Sequence, residues 1–364
     1  MIGRKASRRE GGGSGGPAVD MAVEVGGRTL PDPVMTAAGT SGYGAELAAY
    51  FDLSRLGAVV VKSLSADPWP GNPAPRIHAT PAGMINSVGL DNPGVDRWLA
   101  EHLQPLERTG ARIVVSIWGR SVADYARAAR MLAAALGPGA GEGAAAPGPG
   151  VGEGAAAPGS GSGDSVVALK PGAGKGVVAL EVNVSCPNLE ERSRIFAHDP
   201  DMTAAVVGVC AAEVRGRGLP VWAKLSPNVT DLVPIVDAAM GAGASAVTLG
   251  NTLMGLVIDT EARRPLLGGG GGGLSGPAVR AVAVRNVFEV HARRPEVPII
   301  GVGGIASGRD AVEYLMAGAR AVQVGTATFA DPRASTIVSD ELTTWCETHG
   351  VGRVSEIIGA AHEH

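Results

Sequence analysis

A short polar turn follows the most strongly apolar segment of the chain. The Val-rich run over residues 177–184 predicts a buried strand, and the turn over 185–188 reads Ser-Cys-Pro-Asn. Asn183, Cys186 and Asn188 thus place two carboxamides and a thiol within six residues. A carboxamide offers both a donor and an acceptor, and a thiol can exchange a proton near neutral pH. Such a set could hold a flat polar heterocycle by its edge and deprotonate it.

The composition excludes several classes of function. The chain has 364 residues, of which 45% are hydrophobic, and a formal net charge of −4, so it can form a large core and has no net positive charge to attract nucleic acid. Its three cysteines cannot form a disulfide framework, which indicates a reducing compartment. The sequence shows no secretory signal, no apolar run long enough for a membrane span and no C-x-x-C or H-x-x-x-H metal motif. We therefore expect a cytoplasmic globular protein that binds no membrane, nucleic acid or metal.

Glycine-rich tracts mark the limits of the folded part. Residues 1–18 are rich in Gly, Ser and charge and are expected to form a disordered tail, which leaves residues 19–364 as one domain. The tract at about 137–165 is nearly all Gly, Ala and Pro and predicts a disordered insertion between a helix and the next strand. Near the start of the domain, residues 21–30 predict a β-hairpin that turns at Gly26-Gly27.

A strand, a loop and a helical pattern then alternate eight times. The expected strands cover residues 34–38, 58–62, 112–117, 177–184, 220–225, 244–249, 298–301 and 321–325. The expected helices cover residues 44–56, 92–106, 121–136, 199–216, 230–242, 277–293, 307–318 and 333–348. The strands are continuously apolar, which is typical of parallel strands buried on both faces. Eight such units favour a single α/β domain with the closed (β/α)8 TIM-barrel fold over the alternative, a doubly wound open sheet.

Polar residues and glycines gather at the carboxyl ends of these strands, where barrel enzymes place their working groups. They are Lys62, Ser63, Ser116, Asn183, Ser185, Cys186, Lys224, Asn251, Thr252, Gly303, Gly304, Gly325 and Thr326. The glycine turns after the seventh and eighth strands predict a phosphate cradle, in which backbone amides and the helix start near Ser307 and Asp310 meet an anion. No G-x-G-x-x-G fingerprint follows the first strand, so a mononucleotide such as FMN fits better than a dinucleotide.

Two lysines at the strand ends could serve a flavin ring. A cation near the N1/C2=O end of the ring stabilises the anionic reduced flavin, and we expect Lys62 and Lys224 to approach it. For Lys224, a buried ion pair or a Schiff-base lysine remains an alternative. The long segment over 67–92 is expected to be a functional loop in which Asn86 and the following amides face a planar substrate. The glycine run over 268–273 is either a flexible lid segment or an idle expansion.

Several motifs resemble those of the class 1 dihydroorotate dehydrogenases, most closely the branch that pairs with an electron-transfer subunit. They are Asn183-x-Ser185-Cys186-Pro187-Asn188, Asn251-Thr252-Leu253, Gly273-Leu274-Ser275-Gly276-Pro277-Ala278, and Gly303-Gly304 with Gly325-Thr326. The resemblance covers about residue 21 to the C-terminus, apart from the region over 137–176. It implies an FMN-dependent oxidation of dihydroorotate to orotate in pyrimidine (UMP) biosynthesis. The membrane-bound class differs, since it has a serine base and an N-terminal membrane helix.

The resemblance also implies roles for individual residues. Cys186 would remove the proton from C5 of dihydroorotate while a hydride passes from C6 to N5 of FMN. The substrate would be held by Lys62, Asn86, Ser87, Val88, Gly89, Leu90, Asn183, Asn188, Asn251 and Thr252. FMN would be held by Ala38, Gly39, Lys62, Ser63, Ser116, Asn183, Lys224, Gly250, Gly276, Gly303, Gly304, Gly325 and Thr326.

The chain departs from the family pattern at three places. Ser116 stands where Asn is common, Trp118 replaces a small residue, and residues 189–194 lack the usual glycine. These changes predict a shorter donor, crowding near the flavin and altered dynamics of the loop over the substrate.

The resemblance further implies a homodimeric core and a partner, an iron-sulfur/FAD subunit that passes electrons to NAD⁺. The chain has no cluster-binding cysteine motif or NAD fingerprint of its own, and fumarate as direct acceptor is the alternative. A uracil-type pyrimidine reductase remains a second interpretation, because that family uses the same turn. A cation for the orotate carboxylate, which Lys62 could supply, would distinguish the two. A non-catalytic flavin-binding scaffold is disfavoured by the presence of Cys186, Lys62 and Lys224.

Overall fold

The computed structural model describes residues 18–136, 174–185 and 196–363, and its centre is a cylinder of eight parallel strands. In chain order they are β1 (Val34–Thr36), β2 (Val59–Val60), β3 (Ile113–Ile117), β4 (Val177–Asn183), β5 (Val221–Leu225), β6 (Ala246–Leu249), β7 (Ile299–Val302) and β8 (Ala321–Val324). Successive strands pair in parallel register, β8 pairs with β1, and a bridge between Met35 and Ala58 joins β1 to β2. The sheet is closed, so the predicted TIM barrel is confirmed.

Every residue of these eight strands is buried, which accounts for their continuous apolar sequence. The main core consists of Val, Ile, Leu and Ala side chains between the strands and the outer helices. Polar side chains interrupt this core inside the barrel: Ser116, Thr248 and Gln323 each donate a hydrogen bond to the carboxyl group of Glu181.

The helices outside the barrel follow the expected alternation from the second unit onward. The α-helices cover Val95–Trp98, Gln104–Glu107, Val122–Ala135, Pro200–Val214, Val233–Gly241, Arg280–Arg293, Gly308–Met316 and Ala334–Thr348, with a π-helical turn at Leu99–Leu103. Short 3₁₀ helices cover Phe196–His198, Arg215–Arg217, Pro277–Val279, Thr326–Phe329, Val354–Ile357 and Ala360–His362.

The helix predicted over residues 44–56 is wrong. The structure has two 3₁₀ turns there, Glu46–Ala49 and Leu53–Arg55. Between them, the carboxylate of Asp52 accepts a hydrogen bond from the amide of Ser54 at 2.9 Å and caps the second turn. An aspartate that bonds its neighbouring backbone in this way competes with a continuous helix.

A second, antiparallel sheet lies over the carboxyl ends of the barrel strands. Its order is Leu253–Gly255, Gly272–Ser275, Gly83–Asn86 and Ile77–Thr80, and a two-stranded ribbon of Ile258–Asp259 and Arg264–Pro265 lies next to it in sequence. The segment expected to be a long loop over 67–92 thus contains a hairpin. The last two residues of the glycine run over 268–273 pair in this sheet. The choice between a lid segment and an idle expansion stays a prediction.

The amino-terminal face of the barrel carries the predicted β-hairpin, Val23–Val25 and Arg28–Leu30, which is confirmed. Gly26 and Gly27 both have positive φ, 52° and 79°, as a tight hairpin turn requires. The indole of Trp222 at the start of β5 donates to the carbonyl of Gly26 at 3.3 Å and fixes the hairpin to the barrel. The predicted tail and insertion lie outside the described residues, apart from residue 18. Within the described ranges, no helix combines the length and apolar character needed to cross a bilayer.

Candidate active site

A cavity of about 420 Å³ opens between the carboxyl ends of the barrel strands and the antiparallel sheet. Its size is that of a small-molecule pocket. Most of the predicted site residues line it: Ala38, Gly39, Lys62, Ser63, Asn86, Ser87, Val88, Gly89, Leu90, Asn183, Lys224, Asn251, Thr252, Gly303, Gly304, Gly325 and Thr326. Residues far apart in sequence therefore meet at one site, as the barrel geometry predicts.

Three predicted contact residues do not line the cavity. Ser116 has no exposed surface, and its hydroxyl lies 2.9 Å from the hydroxyl of Ser63, which lines the cavity. Its flavin contact stays a prediction. Gly250 and Gly276 have φ of +126° and +89°, positive values that favour glycine. A Cβ on Gly250 would lie 2.3 Å from the carbonyl oxygen of Val302.

Cys186 and Asn188 lie outside the described residues, as does the loop over 189–194. Their predicted roles therefore stay predictions. The turn that leads to them is described as far as Ser185, which lines the cavity. The other two cysteines, Cys210 and Cys346, are buried thiols without a disulfide partner among the described residues.

Lys62 lies just after β2, and its ammonium nitrogen points to the cavity rim. Nζ donates to the carbonyl oxygen of Asp91 at 2.5 Å and lies 5.4 Å from the ring centroid of Tyr43. Burial lowers the pKa of Lys62, and the nearby Asp91 carboxylate opposes this shift. The side chain is thus held in place as a partly desolvated cation, which suits the recognition of an anionic group.

Asn183, at the end of β4, is the centre of a hydrogen-bonded row across the cavity floor. Its side-chain Nδ2 donates to Ser63 Oγ at 3.3 Å, and its side-chain Oδ1 accepts from Ser185 Oγ at 2.7 Å. Ser185 Oγ in turn accepts from the amide nitrogen of Asn251 at 2.7 Å. Two of the carboxamides predicted to bind the substrate are therefore linked and oriented by protein contacts.

Lys224, on β5, is only 4% exposed and lines the cavity from below. Its Nζ lies 4.0 Å from a carboxyl oxygen of Glu181 on β4, so the alternative of a buried ion pair is realised. The two interpretations of this lysine are compatible, because the same side chain reaches both the cavity and the carboxyl group. Glu181 was not singled out from the sequence, where it appears as one charge within an apolar strand.

The glycine turn after β7 is supported from beneath by Tyr314. Its hydroxyl donates to the carbonyl oxygen of Gly303 at 2.6 Å, and burial raises the pKa of the phenol. Gly304 follows with φ of +71°, and a Cβ there would lie 2.8 Å from the carbonyl oxygen of Gly276. Only a glycine fits this position, where the backbone itself forms the cavity wall.

The helix start after this turn does not offer its first amides to an anion, contrary to the sequence prediction. The capping box of Ser307 and Asp310 is present as predicted. However, the Asp310 carboxylate accepts from the amides of Ala306 and Ser307 at 2.9 and 3.0 Å, and Glu341 accepts from the amide of Gly308 at 2.7 Å. Two internal carboxylates thus occupy these donors, which leaves the glycine turns as the candidate cradle.

Two side chains that were not predicted from the sequence hydrogen-bond to the segment over 86–90. The amide of Asn72 donates to the hydroxyl of Ser87 at 2.9 Å, and the indole of Trp69 donates to the carbonyl oxygen of Gly89 at 3.0 Å. Trp69 also contacts Trp118 edge to face, with ring centroids 5.9 Å apart. Trp118 is 1% exposed and lines the cavity. The crowding expected near the flavin stays a prediction.

Other lining residues were missed because they are apolar or isolated in the sequence. They are Ala37, Thr40, Trp69, Asn72, Ile77, Met84, Val279, Val302 and Phe329. The only signal for Trp69 and Asn72 was their position in the long segment after β2. Ile77 and Phe329 are 51% and 56% exposed, so they form an apolar rim at the cavity mouth.

The charge of the cavity fits FMN and an anionic substrate. Among the described residues, its lining includes Lys62 and Lys224 and no carboxylate. Glycine turns after β7 and β8 bring the backbone to the surface where a phosphate group could bind. Carboxamides and hydroxyls provide both donors and acceptors for a flat ring.

Comparisons with known proteins place the chain in a family. A sequence model of the family described as dihydroorotate dehydrogenase matches residues 20–137 and 163–345. The chain is similar to dihydroorotate dehydrogenase B (NAD(+)), catalytic subunit, from Desulforudis audaxviator, with 46% identity over 94% of this chain and 98% of that protein. The proteins of the same name from Pelobacter propionicus and Alkaliphilus metalliredigens are 42% and 41% identical over 94% of this chain and 98% and 99% of theirs. This chain belongs to the dihydroorotate dehydrogenase family.

Proposed function

We propose that this chain is the catalytic subunit of a dihydroorotate dehydrogenase, which oxidises dihydroorotate to orotate with FMN in pyrimidine biosynthesis. The observation that carries the proposal is the convergence of Lys62, Asn183 and Lys224 on a cavity whose described lining has no carboxylate, in a chain of this family. Both the phosphate of FMN and the carboxylate of the substrate are anions, and such a lining favours both.

The substrate would be held by its charge and by its ring edge. The ammonium of Lys62 would bind the carboxylate through a charge-assisted hydrogen bond. Asn183 and Asn251 would pair with the amide groups of the ring, because each carboxamide presents a donor and an acceptor in a fixed orientation. Asn86, Asn188, Thr252 and the amides of the segment over 86–90 would complete the contacts.

The reaction removes one proton and one hydride from adjacent carbons. Cys186 would accept the proton from C5 while the hydride leaves C6, so that a carbon–carbon double bond forms and two electrons leave the substrate. FMN, when bound, supplies the hydride acceptor. Lys224 would stabilise the negative charge that the flavin ring gains, and the glycine turns after β7 and β8 would hold the phosphate.

The two electrons removed from the substrate must then reach an electron acceptor. The relatives named above are catalytic subunits of an NAD(+)-dependent enzyme, which supports a separate electron-transfer subunit as the partner of this chain. We propose that this partner carries iron-sulfur and FAD groups and passes electrons to NAD⁺, with fumarate as the less favoured acceptor. A homodimeric core and a cytoplasmic location are further parts of the proposal; the buried free thiols of Cys210 and Cys346 support a reducing compartment.

A substrate comparison tests this proposal. The purified FMN-loaded chain is mixed with dihydroorotate or dihydrouracil and an artificial dye as electron acceptor, and dye reduction is measured. We expect turnover with dihydroorotate and little with dihydrouracil, which lacks the carboxylate for Lys62. Preferential oxidation of dihydrouracil would instead support the uracil-type alternative.

Two further measurements test the assignment of roles. Cys186→Ser is expected to lose most activity at neutral pH, because a hydroxyl without a nearby base is a poor proton acceptor. Near-normal activity of this variant would remove Cys186 from the proposed mechanism. With NAD⁺ as the only acceptor, the isolated chain should be inactive, and NAD⁺ reduction by the chain alone would contradict the need for a partner.

A further inference from the structure

A carboxyl group lies completely buried inside the barrel, beneath the cavity. Glu181 has no exposed surface and sits two residues before Asn183 on β4, so the two side chains are on the same face of the strand. Its oxygens accept from Ser116 Oγ at 3.2 Å, Thr248 Oγ1 at 3.0 Å and Gln323 Nε2 at 2.8 Å. With Lys224 Nζ at 4.0 Å, groups from four neighbouring or facing strands surround it, and all of them are donors.

The carboxyl group of Glu181 determines the orientation of the Gln323 side-chain amide. The amide of Gln323 turns its nitrogen to Glu181, and its own oxygen, which is also buried, has no hydrogen-bond partner among the described residues. A buried acceptor without a partner is unfavourable, because the water that it loses on folding is not replaced by a protein donor. The arrangement is therefore organised around Glu181 as an acceptor.

Because the carboxyl oxygens of Glu181 accept hydrogen bonds from these neighbours, they fix the direction of a hydrogen-bond chain that extends from Glu181 to the cavity. A serine hydroxyl has one proton, and that of Ser116 is directed to Glu181. Ser116 must then accept from Ser63 at 2.9 Å, and Ser63, whose proton is now used, must accept from the amide nitrogen of Asn183 at 3.3 Å.

The orientation of the Asn183 carboxamide follows from this order. Its nitrogen faces Ser63 and its oxygen faces Ser185, which also accepts from Asn251. The chain thus runs in one direction from Asn251 at the cavity to Glu181 in the barrel. One N–H and one lone pair of Asn183 remain for a ligand, and they lie on defined sides.

We infer that Glu181 is a positioning residue for the reaction proposed above: through Ser116 and Ser63 it orients the Asn183 carboxamide toward the substrate ring, and through Lys224 it balances the cationic charge beneath the flavin. The inference rests on the proposed function. The two effects are separable, because Ser116 belongs only to the hydrogen-bond chain, whereas Lys224 contacts Glu181 as a charge.

Three variants separate these effects. Glu181→Gln keeps the shape of the side chain, removes the charge and introduces a donor that faces other donors. Ser116→Ala interrupts the chain and keeps the carboxyl group beside Lys224. Thr248→Val is the matched control, since it removes one buried hydroxyl that contacts Glu181 and is not part of the chain.

Orotate affinity, measured by titrating the flavin absorbance, is the first readout. We expect Glu181→Gln and Ser116→Ala each to bind orotate about tenfold more weakly, the equivalent of one well-placed hydrogen bond, and Thr248→Val to bind it as wild type does. The flavin midpoint potential is the second readout. It should rise in Glu181→Gln by about 30 mV or more, a tenfold change for a two-electron couple, because Lys224 is no longer balanced. In the other two variants it should stay near the wild-type value.

The outcomes decide the inference without depending on catalytic activity. Wild-type orotate affinity in Ser116→Ala, or an unchanged potential in Glu181→Gln, would overturn it. If Glu181→Gln fails to fold or to retain FMN, the comparison of Ser116→Ala with Thr248→Val decides, and equal affinities in these two would overturn the inference. Failure of the wild-type protein itself to bind orotate would refute the proposed function instead.

Discussion

Asp32 carries a buried carboxyl group on the face of the barrel away from the cavity, and its burial makes stability depend on pH. The residue is 7% exposed and accepts hydrogen bonds from the amide of Val34 at 2.7 Å and the hydroxyl of Ser339 at 2.6 Å. Burial raises its pKa from 3.8 to about 6, although both hydrogen bonds act in the opposite direction.

The sign and the size of the effect follow from the linkage between proton binding and folding. The folded protein binds this proton more tightly than the unfolded chain does, so the stabilisation is complete below pH 3.8 and is lost as the pH rises through about 6. The full effect is about 3 kcal/mol, of which roughly 1.4 kcal/mol disappears between about pH 5 and pH 7.5.

Asp32→Asn removes the titration and keeps an oxygen that can accept from Val34. The free energy of unfolding of this variant minus that of wild type, both measured with urea, should be larger (more stable variant) at pH 7.5 than at pH 5 by about 1.4 kcal/mol. Asp331→Asn is the control, because this exposed carboxylate has a pKa of about 2 beside Arg333 and does not titrate in that range. If the free energies of unfolding of Asp32→Asn and wild type differ by the same amount at both pH values, titration of Asp32 does not affect stability.

Three further predictions concern the cavity. Gly304→Ala should bind FMN about tenfold or more weakly, since the left-handed backbone and the close carbonyl oxygen exclude a Cβ. Gly350→Ala is the control, because its φ of +69° is similar but no atom lies near its Cβ, and it should bind FMN normally. Equal FMN affinities in the two variants would contradict the packing argument. Tyr314→Phe leaves the carbonyl oxygen of Gly303 without its buried donor and should lower the free energy of unfolding by about 1 kcal/mol, which urea unfolding measures; an unchanged value would show that the bond adds nothing. Burial lowers the pKa of Lys62 below 10.5, so the lysine should lose its proton, and orotate affinity should fall, at a pH lower than 10.5. A Lys62→Met variant with the same fall in affinity would show that Lys62 is not the cause.

The barrel was predictable because its strands are buried on both faces. Parallel strands such as β4 give continuous apolar runs, and eight of them in alternation with helices leave few alternative folds. The antiparallel sheet over the cavity was not predictable, because its strands are short and contain residues such as Gly272 and Gly273 that are unusual in strands. Its stability comes from pairing between segments distant in sequence, such as Ile85 with Leu274.

The site likewise contains residues that could be predicted from the sequence and residues that could not. Strand-end residues such as Lys62 and Lys224 could be selected because the barrel brings every such position to one face. Glu181 could not, because its importance depends on the four groups around it, which come from other strands. A single charge in the middle of a buried strand was nevertheless a signal, since charged residues are almost never fully buried unless paired.

A single turnover of the bound flavin shows whether this chain oxidises dihydroorotate. The FMN-loaded chain is mixed with dihydroorotate under anaerobic conditions and without any electron acceptor, and flavin absorbance and orotate are measured together. We expect the flavin to bleach and one orotate to form for each FMN reduced. Flavin that stays oxidised in the presence of excess dihydroorotate, or bleaching without orotate, would contradict it.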